Sequence, residues 1–204
     1  MENTYKTIVA TATGQFKDRG SRFIGFLYPV SDEEKIKAHL AALKKEYHDA
    51  THYCYAYTIG HTGQPQTRLN DDGEPSGSAA RPIFGQLQSA GLSDVLAVVV
   101  RYFGGTKLGV PGLINAYKTA TREAIANATV VEKEILDLAE ASLPYDRVNS
   151  LLQLLKKKEA TVRSMDYADG KSIVRFEIRH DRFAELQESI PKTSPISIQH
   201  LKTI

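Results

Sequence analysis

Chemistry-bearing residues gather first where a strand empties into a glycine-rich loop. Val95-Leu96-Ala97-Val98-Val99-Val100 is followed by Arg101-Tyr102-Phe103-Gly104-Gly105-Thr106-Lys107-Leu108-Gly109, and Pro111 then suits the opening of a helix. Gly104, Gly105 and Gly109 permit positive φ and close backbone approach. A helix start leaves free N–H groups with a partial positive charge, so the order strand, loop, helix can hold an anion. It is neither a Walker loop, because Gly-Gly-Thr-Lys lacks the spacer and the Gly-Lys-Ser/Thr order, nor a dinucleotide fingerprint. Lys118 and Arg122 are four residues apart on the same helix, with Asn115 one turn earlier, and Arg101 and Lys107 precede them. Four cations near one helix start could contact a phosphate backbone. A solvated helix face is the plainer account of Lys118 and Arg122.

A second gathering lies in Gly60–Ser78, 19 residues without periodicity and dense in turn-forming types. Long structureless loops are uncommon in compact domains and often functional. Asp71-Asp72-Gly73-Glu74-Pro75-Ser76-Gly77 offers three carboxylates that could hold a hard cation. The alternating ligand pattern of a calcium loop is absent, and Asp-Gly and Glu-Pro are ordinary turn dipeptides, so no metal site is assigned. His52 and Cys54 share one strand face. Residues i and i+2 stand about 7 Å apart, too far for direct proton transfer, and a buried Cys usually behaves as a small hydrophobe. Tyr53, Tyr55 and Tyr57 could stack bases or pack beneath a helix, and packing is the commoner use.

The elements that position these residues follow from periodicity and caps. Tyr5–Thr13 and Arg22–Val30 suggest strands. Ser31-Asp32-Glu33-Glu34 reads as a capping box with Ser31 as N-cap, ahead of a helix bearing Ile36, Leu40, Leu43 and Tyr47. Ser78 is the expected N-cap of a short helix through Pro82 to Ser89, and a helix is expected from Pro111 to about Ala128. Beyond Glu134 the pattern is strand (Ile135–Leu143), helix (Asp146–Lys158), strand (Thr161–Tyr167), Asp169-Gly170 turn, strand (Val174–Ile178), short helix from Asp181, and a last strand at Ile196 and Ile198. That β-α-β-β-α-β order is the ferredoxin-like unit. Two domains are expected, 1–134 and 135–204.

Composition sets the frame. The chain has 204 residues, 42% apolar and 25% charged, with 26 Lys plus Arg against 24 Asp plus Glu. This is an ordinary globular balance and far from that of a dedicated, heavily basic nucleic-acid binder. Residues 1–134 hold 15 basic and 14 acidic side chains, and 135–204 hold 11 and 10, so any electrostatic footprint is a local patch. No apolar run approaches the roughly 18–20 residues of a membrane span, and the N-terminus lacks the apolar core of a secretory signal. Cys54 is the only cysteine, which excludes an intrachain disulfide and a thiolate zinc cluster. A soluble, cytoplasmic protein without membrane contact is expected.

His52-Tyr53-Cys54-Tyr55-Ala56-Tyr57, the Asp71–Gly77 run and Val100–Gly109 together resemble the signature of the IMPACT (YigZ-like) family, in the bacterial two-domain type. Ser21-Arg22-Phe23-Ile24-Gly25 is similar to its opening motif. The resemblance covers roughly residues 3 to 128. It implies an α/β (α+β) protein, with an N-terminal domain like ribosomal protein S5 domain 2. The second domain would be ferredoxin-like, and the pair is similar to the C-terminal domains of elongation factor G. It also implies a tie to translation: eukaryotic members regulate an initiation-factor kinase through its activator protein, and nucleic-acid or ribosome association is the usual proposal for bacterial ones. The chain departs from the family pattern at Asn115-Ala116-Tyr117, where Arg-Ala-Tyr is expected, and at Val110-Pro111-Gly112 and Ala79-Ala80.

Three functions follow as expectations. The first is a non-enzymatic, translation-associated regulator that binds RNA or a ribosomal surface and has a translation-related protein partner. Its phosphate contacts would come from Arg22, Arg101, Gly104, Gly105, Lys107, Lys118 and Arg122. His52, Asp71, Asp72, Glu74, Ser76 and Gly77 would form the family-motif loop that shapes the site, its acidic tip repelling misplaced phosphate. No catalytic residue, metal or cofactor is assigned. The second is an enzyme or binding protein for a small phosphorylated or acidic ligand, with the loop carboxylates and His52 moving protons beside a glycine-loop anion hole. The third is a protein-interaction module using the second domain's sheet.

Overall fold

A computed structural model describes residues 3–61, 64–191 and 193–204, so Met1, Glu2, Thr62 and Gly63 of the long loop, and Lys192 lie outside the described residues. The chain is a mixed α/β protein built on antiparallel sheets. It divides into two compact units, one of Tyr5–Lys133 and one of Glu134–Ile204 together with Asn3 and Thr4.

The first unit holds β2 (Ala12–Asp18), β3 (Ser21–Pro29), α1 (Glu33–Glu46), β4 (His52–Ile59), β5 (Gln66–Asn70), α2 (Ala80–Ser89), β6 (Val95–Tyr102) and α3 (Gly109–Ala126). Its five strands pair antiparallel in the order β2-β3-β6-β4-β5, so the apolar run of β6 lies at the centre and Val95–Val100 are all buried. Alternate side chains of each strand face opposite layers. Phe23, Cys54, Ala97 and Val99 pack with α2 and α3, while Ile24, Tyr57, Val98 and Val100 pack with α1. The tyrosine stripe belongs to this second layer: Tyr57 is buried and Tyr53 and Tyr55 are partly buried against it, so it packs beneath a helix rather than offering bases a stacking face.

Several local expectations are corrected. Tyr5–Thr13 is not one strand: β1 (Thr4–Ile8) ends before β2 and pairs instead with β7 (Val130–Glu134). The N-cap of α1 is Asp32, whose carboxylate accepts from the Lys35 N–H at 2.8 Å, while the Ser31 hydroxyl donates to Asp32 and accepts from Lys35 Nζ and caps no backbone N–H. α3 begins at Gly109, two residues before Pro111, so the ring sits inside the first turn, where its missing N–H costs no helix bond. Gly60–Ser78 is not structureless, because Gln66–Asn70 pairs with β4 to form the sheet edge.

The second unit contains β8 (Leu136–Leu143), a 3-10 turn at Tyr145–Arg147, α4 (Val148–Lys157), β9 (Thr161–Ala168), β10 (Lys171–Arg179), α5 (His180–Glu188) and β11 (Ser197–Thr203). The strand order β11-β8-β10-β9, fully antiparallel with two crossover helices, is the ferredoxin-like arrangement. Strict alternation on β8 and β10 buries Ala139, Ala141, Leu143, Val174, Phe176 and Ile178 with Leu151, Leu155 and Leu186 of the helices.

Candidate functional site

The acidic loop is built by its own carboxylates. Asp71 Oδ2 accepts from the Gly77 N–H at 2.8 Å, and its Oδ1 accepts from Ala79 and Ala80 N–H at 3.1 and 2.7 Å. α2 has no side-chain N-cap of its own at Ala79, so Asp71 satisfies its orphan donors from eight residues upstream. Ser78 is buried, but its hydroxyl donates to the Pro75 carbonyl and does not cap the helix. Asp72 Oδ2 accepts from the Tyr53 N–H at 2.7 Å, tying the loop to β4. Asp72, Gly73 and Gly77 take positive φ of 44°, 86° and 74°, which turns the chain tightly. Asp71 and Asp72 are thus occupied in shaping the loop, while Ser76 is exposed on its surface.

This scaffold sends Glu74 inward. Its carboxylate Oε1 receives Arg101 Nη1 at 2.5 Å and the Tyr117 hydroxyl at 2.7 Å. Arg101 sits on the helix-covered face of β6, in phase with Ala97 and Val99, and is only 5% exposed. Phe23 and Phe103 lie over its guanidinium, 5.3 and 5.6 Å from ring centre to Cζ. Its Nε is buried and makes no hydrogen bond. His52 Nδ1 donates to the Asp72 carbonyl at 2.8 Å, which leaves Nε2 facing Glu74 Oε1 at 3.9 Å. Cys54 Sγ lies 3.0 Å from the Asp71 carbonyl and 3.3 Å from the Tyr117 hydroxyl, either of which can accept its proton. Burial pushes both the Cys54 thiol and the Tyr117 phenol well up, so neither is a nucleophile at neutral pH.

The residues of the expected cationic patch have different settings. Arg101 is neutralised by Glu74 inside the protein. Arg22 pairs with Tyr102 in the sheet register, on the α1 side, whereas its neighbour Phe23 faces Arg101. Gly104 is a packing glycine: a Cβ there would lie 1.9 Å from the Gly20 carbonyl carbon, and its N–H donates to Ser21 Oγ. Gly105, with φ of 86°, remains in the open turn. Lys107, Lys118 and Arg122 are exposed, and Arg122 makes a loose surface pair with Glu123 at 3.4 Å.

Beside the buried pair opens a cleft of about 380 Å³, walled by Phe103, Leu108, Val110 and Leu113, with Glu74, Arg101 and Lys107 as its charged lining. The Glu74–Arg101–Tyr117 network escaped the sequence reading. Its signal was there: Arg101 continues the period-2 core face of an otherwise apolar strand, and an unpaired charge cannot remain on such a face. Among the described residues, no three His, Cys, Asp or Glu side chains are grouped to hold a metal ion.

The sequence comparisons fall on this same region. Residues 19–125 match the model of the Impact N-terminal domain, a span that contains the loop, the ion pair and the cleft. The chain belongs to the IMPACT family. It is 35% identical over 170 residues to IMPACT family member YvyE of Bacillus subtilis, covering 83% of this chain and 78% of that one. To YigZ of Escherichia coli it is 31% identical, with 89% of each chain covered. The crystal structure of a hypothetical protein superimposes with a TM-score of 0.74 at 27% identity, over 99% of both chains. The residues that build the buried pair all lie within the matched span.

Proposed function

We propose that this IMPACT family protein is a translation-associated regulator that works by binding, not by catalysis, and that the first unit contacts structured RNA of the kind a ribosomal surface presents. The observation that carries this reading is the outer face of α3. Lys118 and Arg122 stand one turn apart and exposed there, Lys107 is exposed in the loop that feeds the helix, and Glu123 is the only acid on α3. Exposed cations on a rigid helix can neutralise phosphates and release counterions. The Arg122–Glu123 contact is a surface pair of the kind that contributes little, so it yields to a phosphate. The non-catalytic reading is supported by the site itself, where the thiol and phenol are held protonated and Glu74 is taken up by two donors.

The test is binding of the nuclease-treated protein to ribosomes and to structured RNA across a salt series. Affinity falls steeply with salt, and Lys118→Ala with Arg122→Ala reduces the slope of log K against log salt by about 2, one for each phosphate that is no longer neutralised. An unchanged slope in the double variant removes α3 as the contact surface.

A further inference from the structure

We propose that the cleft beside the Glu74–Arg101 pair is a binding site for a small amphipathic anion, a monocarboxylic acid with an aliphatic body. Three independent features point to such a ligand. The walls are apolar, with Phe103, Leu108, Val110 and Leu113 contributing side chains, and the volume of about 380 Å³ lies at the small end of ligand pockets. The Arg101 guanidinium lines the same cleft, 5% exposed, with its Nε lacking any hydrogen-bond partner. A buried unpaired donor carries a desolvation cost that an acceptor recovers, and Nε is one arm of the side-on fork that matches a carboxylate. Finally, α3 starts at the cleft through Gly109 and Val110 without a side-chain cap. Its first N–H groups add positive potential there.

The charge balance favours one negative charge in the ligand. Glu74 and Arg101 cancel, and Glu74 Oε1 already receives two donors. Lys107 and the α3 start then leave the cleft net positive. Phe103 is 47% exposed and lies over the guanidinium, so turning its side chain outward uncovers Arg101 for the incoming carboxylate. The cleft shares Lys107 with the RNA-binding surface proposed above but not Lys118 or Arg122, and because it is tested without RNA neither reading depends on the other.

The test uses the whole protein without RNA, titrated with octanoate, octanamide and inorganic phosphate while backbone amide resonances are followed. Octanoate should bind saturably and move the resonances of Gly105, Lys107, Gly109 and Val110. Octanamide and phosphate should each bind at least 10-fold more weakly. Lys107→Glu, a surface change that leaves the fold intact, should weaken octanoate about 5-fold and leave octanamide unchanged, and Val110→Trp should fill the cleft and abolish binding. Equal binding of octanamide, equal binding of phosphate, octanoate shifts mapping elsewhere, or no saturable binding overturns the proposal.

Discussion

Glu74 and Asp137 are carboxylates withdrawn from solvent, one in each unit, and their partners are of different kinds. Glu74 is held by a guanidinium, which keeps its charge at any accessible pH. Asp137, 1% exposed on the helix-covered face of β8, accepts from His180 Nδ1 at 2.9 Å, His200 Nε2 at 3.0 Å and the Thr203 hydroxyl at 2.7 Å. A bulge in β11 between His200 and Lys202 brings both His200 and Thr203 to that face. Neutral imidazoles can supply the N–H groups this arrangement needs. The first cluster is thus a fixed charge pair lining a cleft, and the second is a hydrogen-bonded knot that can relax. Burying a carboxylate does not by itself mark a site; the freedom left to its partner decides what removing it exposes.

The largest effect expected from this contrast is the loss of Glu74. Glu74→Ala strands a buried guanidinium that cannot deprotonate, and should cost about 3–5 kcal/mol. Asp137→Ala leaves groups that can stay neutral, one of them, His200, well exposed, and should cost about 1–3 kcal/mol. Urea unfolding followed by segment-resolved hydrogen exchange assigns each loss to its unit. Equal losses would erase the distinction between charge pair and knot. Glu74→Gln, which keeps an acceptor for Arg101 and Tyr117, should fall between wild type and Glu74→Ala.

A smaller effect separates the loop's framework from its buried charge. Asp71→Ala removes the acceptor of three backbone N–H groups and should cost about 1–2 kcal/mol, in the range of a lost helix cap. The loss should appear as faster exchange at Gly77, Ala79 and Ala80 while the Arg101–Glu74 pair persists. If α2 stays as protected as before, water replaces the carboxylate and the capping account fails.

What the sequence made legible divides along the same line. α1, α4, β8 and β10 announced themselves because their apolar periods are strong and their burial is one-sided, and β6 because an unbroken apolar run marks a strand covered on both faces. β5 and β7 were hidden because their side chains are mostly exposed; a neighbour's open edge, not local pattern, makes them strands. The cap of α1 slipped by one residue because Ser31 and Asp32 are both good caps and Asp32 wins the Lys35 N–H. The glycine loop and the cations on α3 were readable as residue types. Their grouping was not, since Arg22 and Arg101 differ by one strand face, and the partner that draws Arg101 inward comes from a loop 27 residues earlier.

The smallest expected effect concerns alkaline pH and again sets one unit against the other. Burial raises the Cys54 thiol above its ordinary value of 9.0, so the folded protein keeps a proton that the unfolded chain gives up. Stability contributed this way is complete below the unfolded thiol's pKa and declines as pH climbs above it, because the native state then binds more protons. The loss from Cys54 is about 1 kcal/mol near about pH 10. Tyr5 and Tyr28, both pushed up to about 12 chiefly by burial, act in the same direction only at higher pH. The second unit has no cysteine, and its tyrosines Tyr145 and Tyr167 are 79% and 70% exposed. Raising the pH from 8 to 10 should therefore lower the urea midpoint of the first unit while the second holds, and Cys54→Ala should flatten that response. The wild-type thiol should react with Ellman's reagent only as fast as the first unit opens. A native-state thiol that reacts as fast as a free one would show that Cys54 is not insulated, and the argument that it is an inert member of the Glu74 network would fall with it.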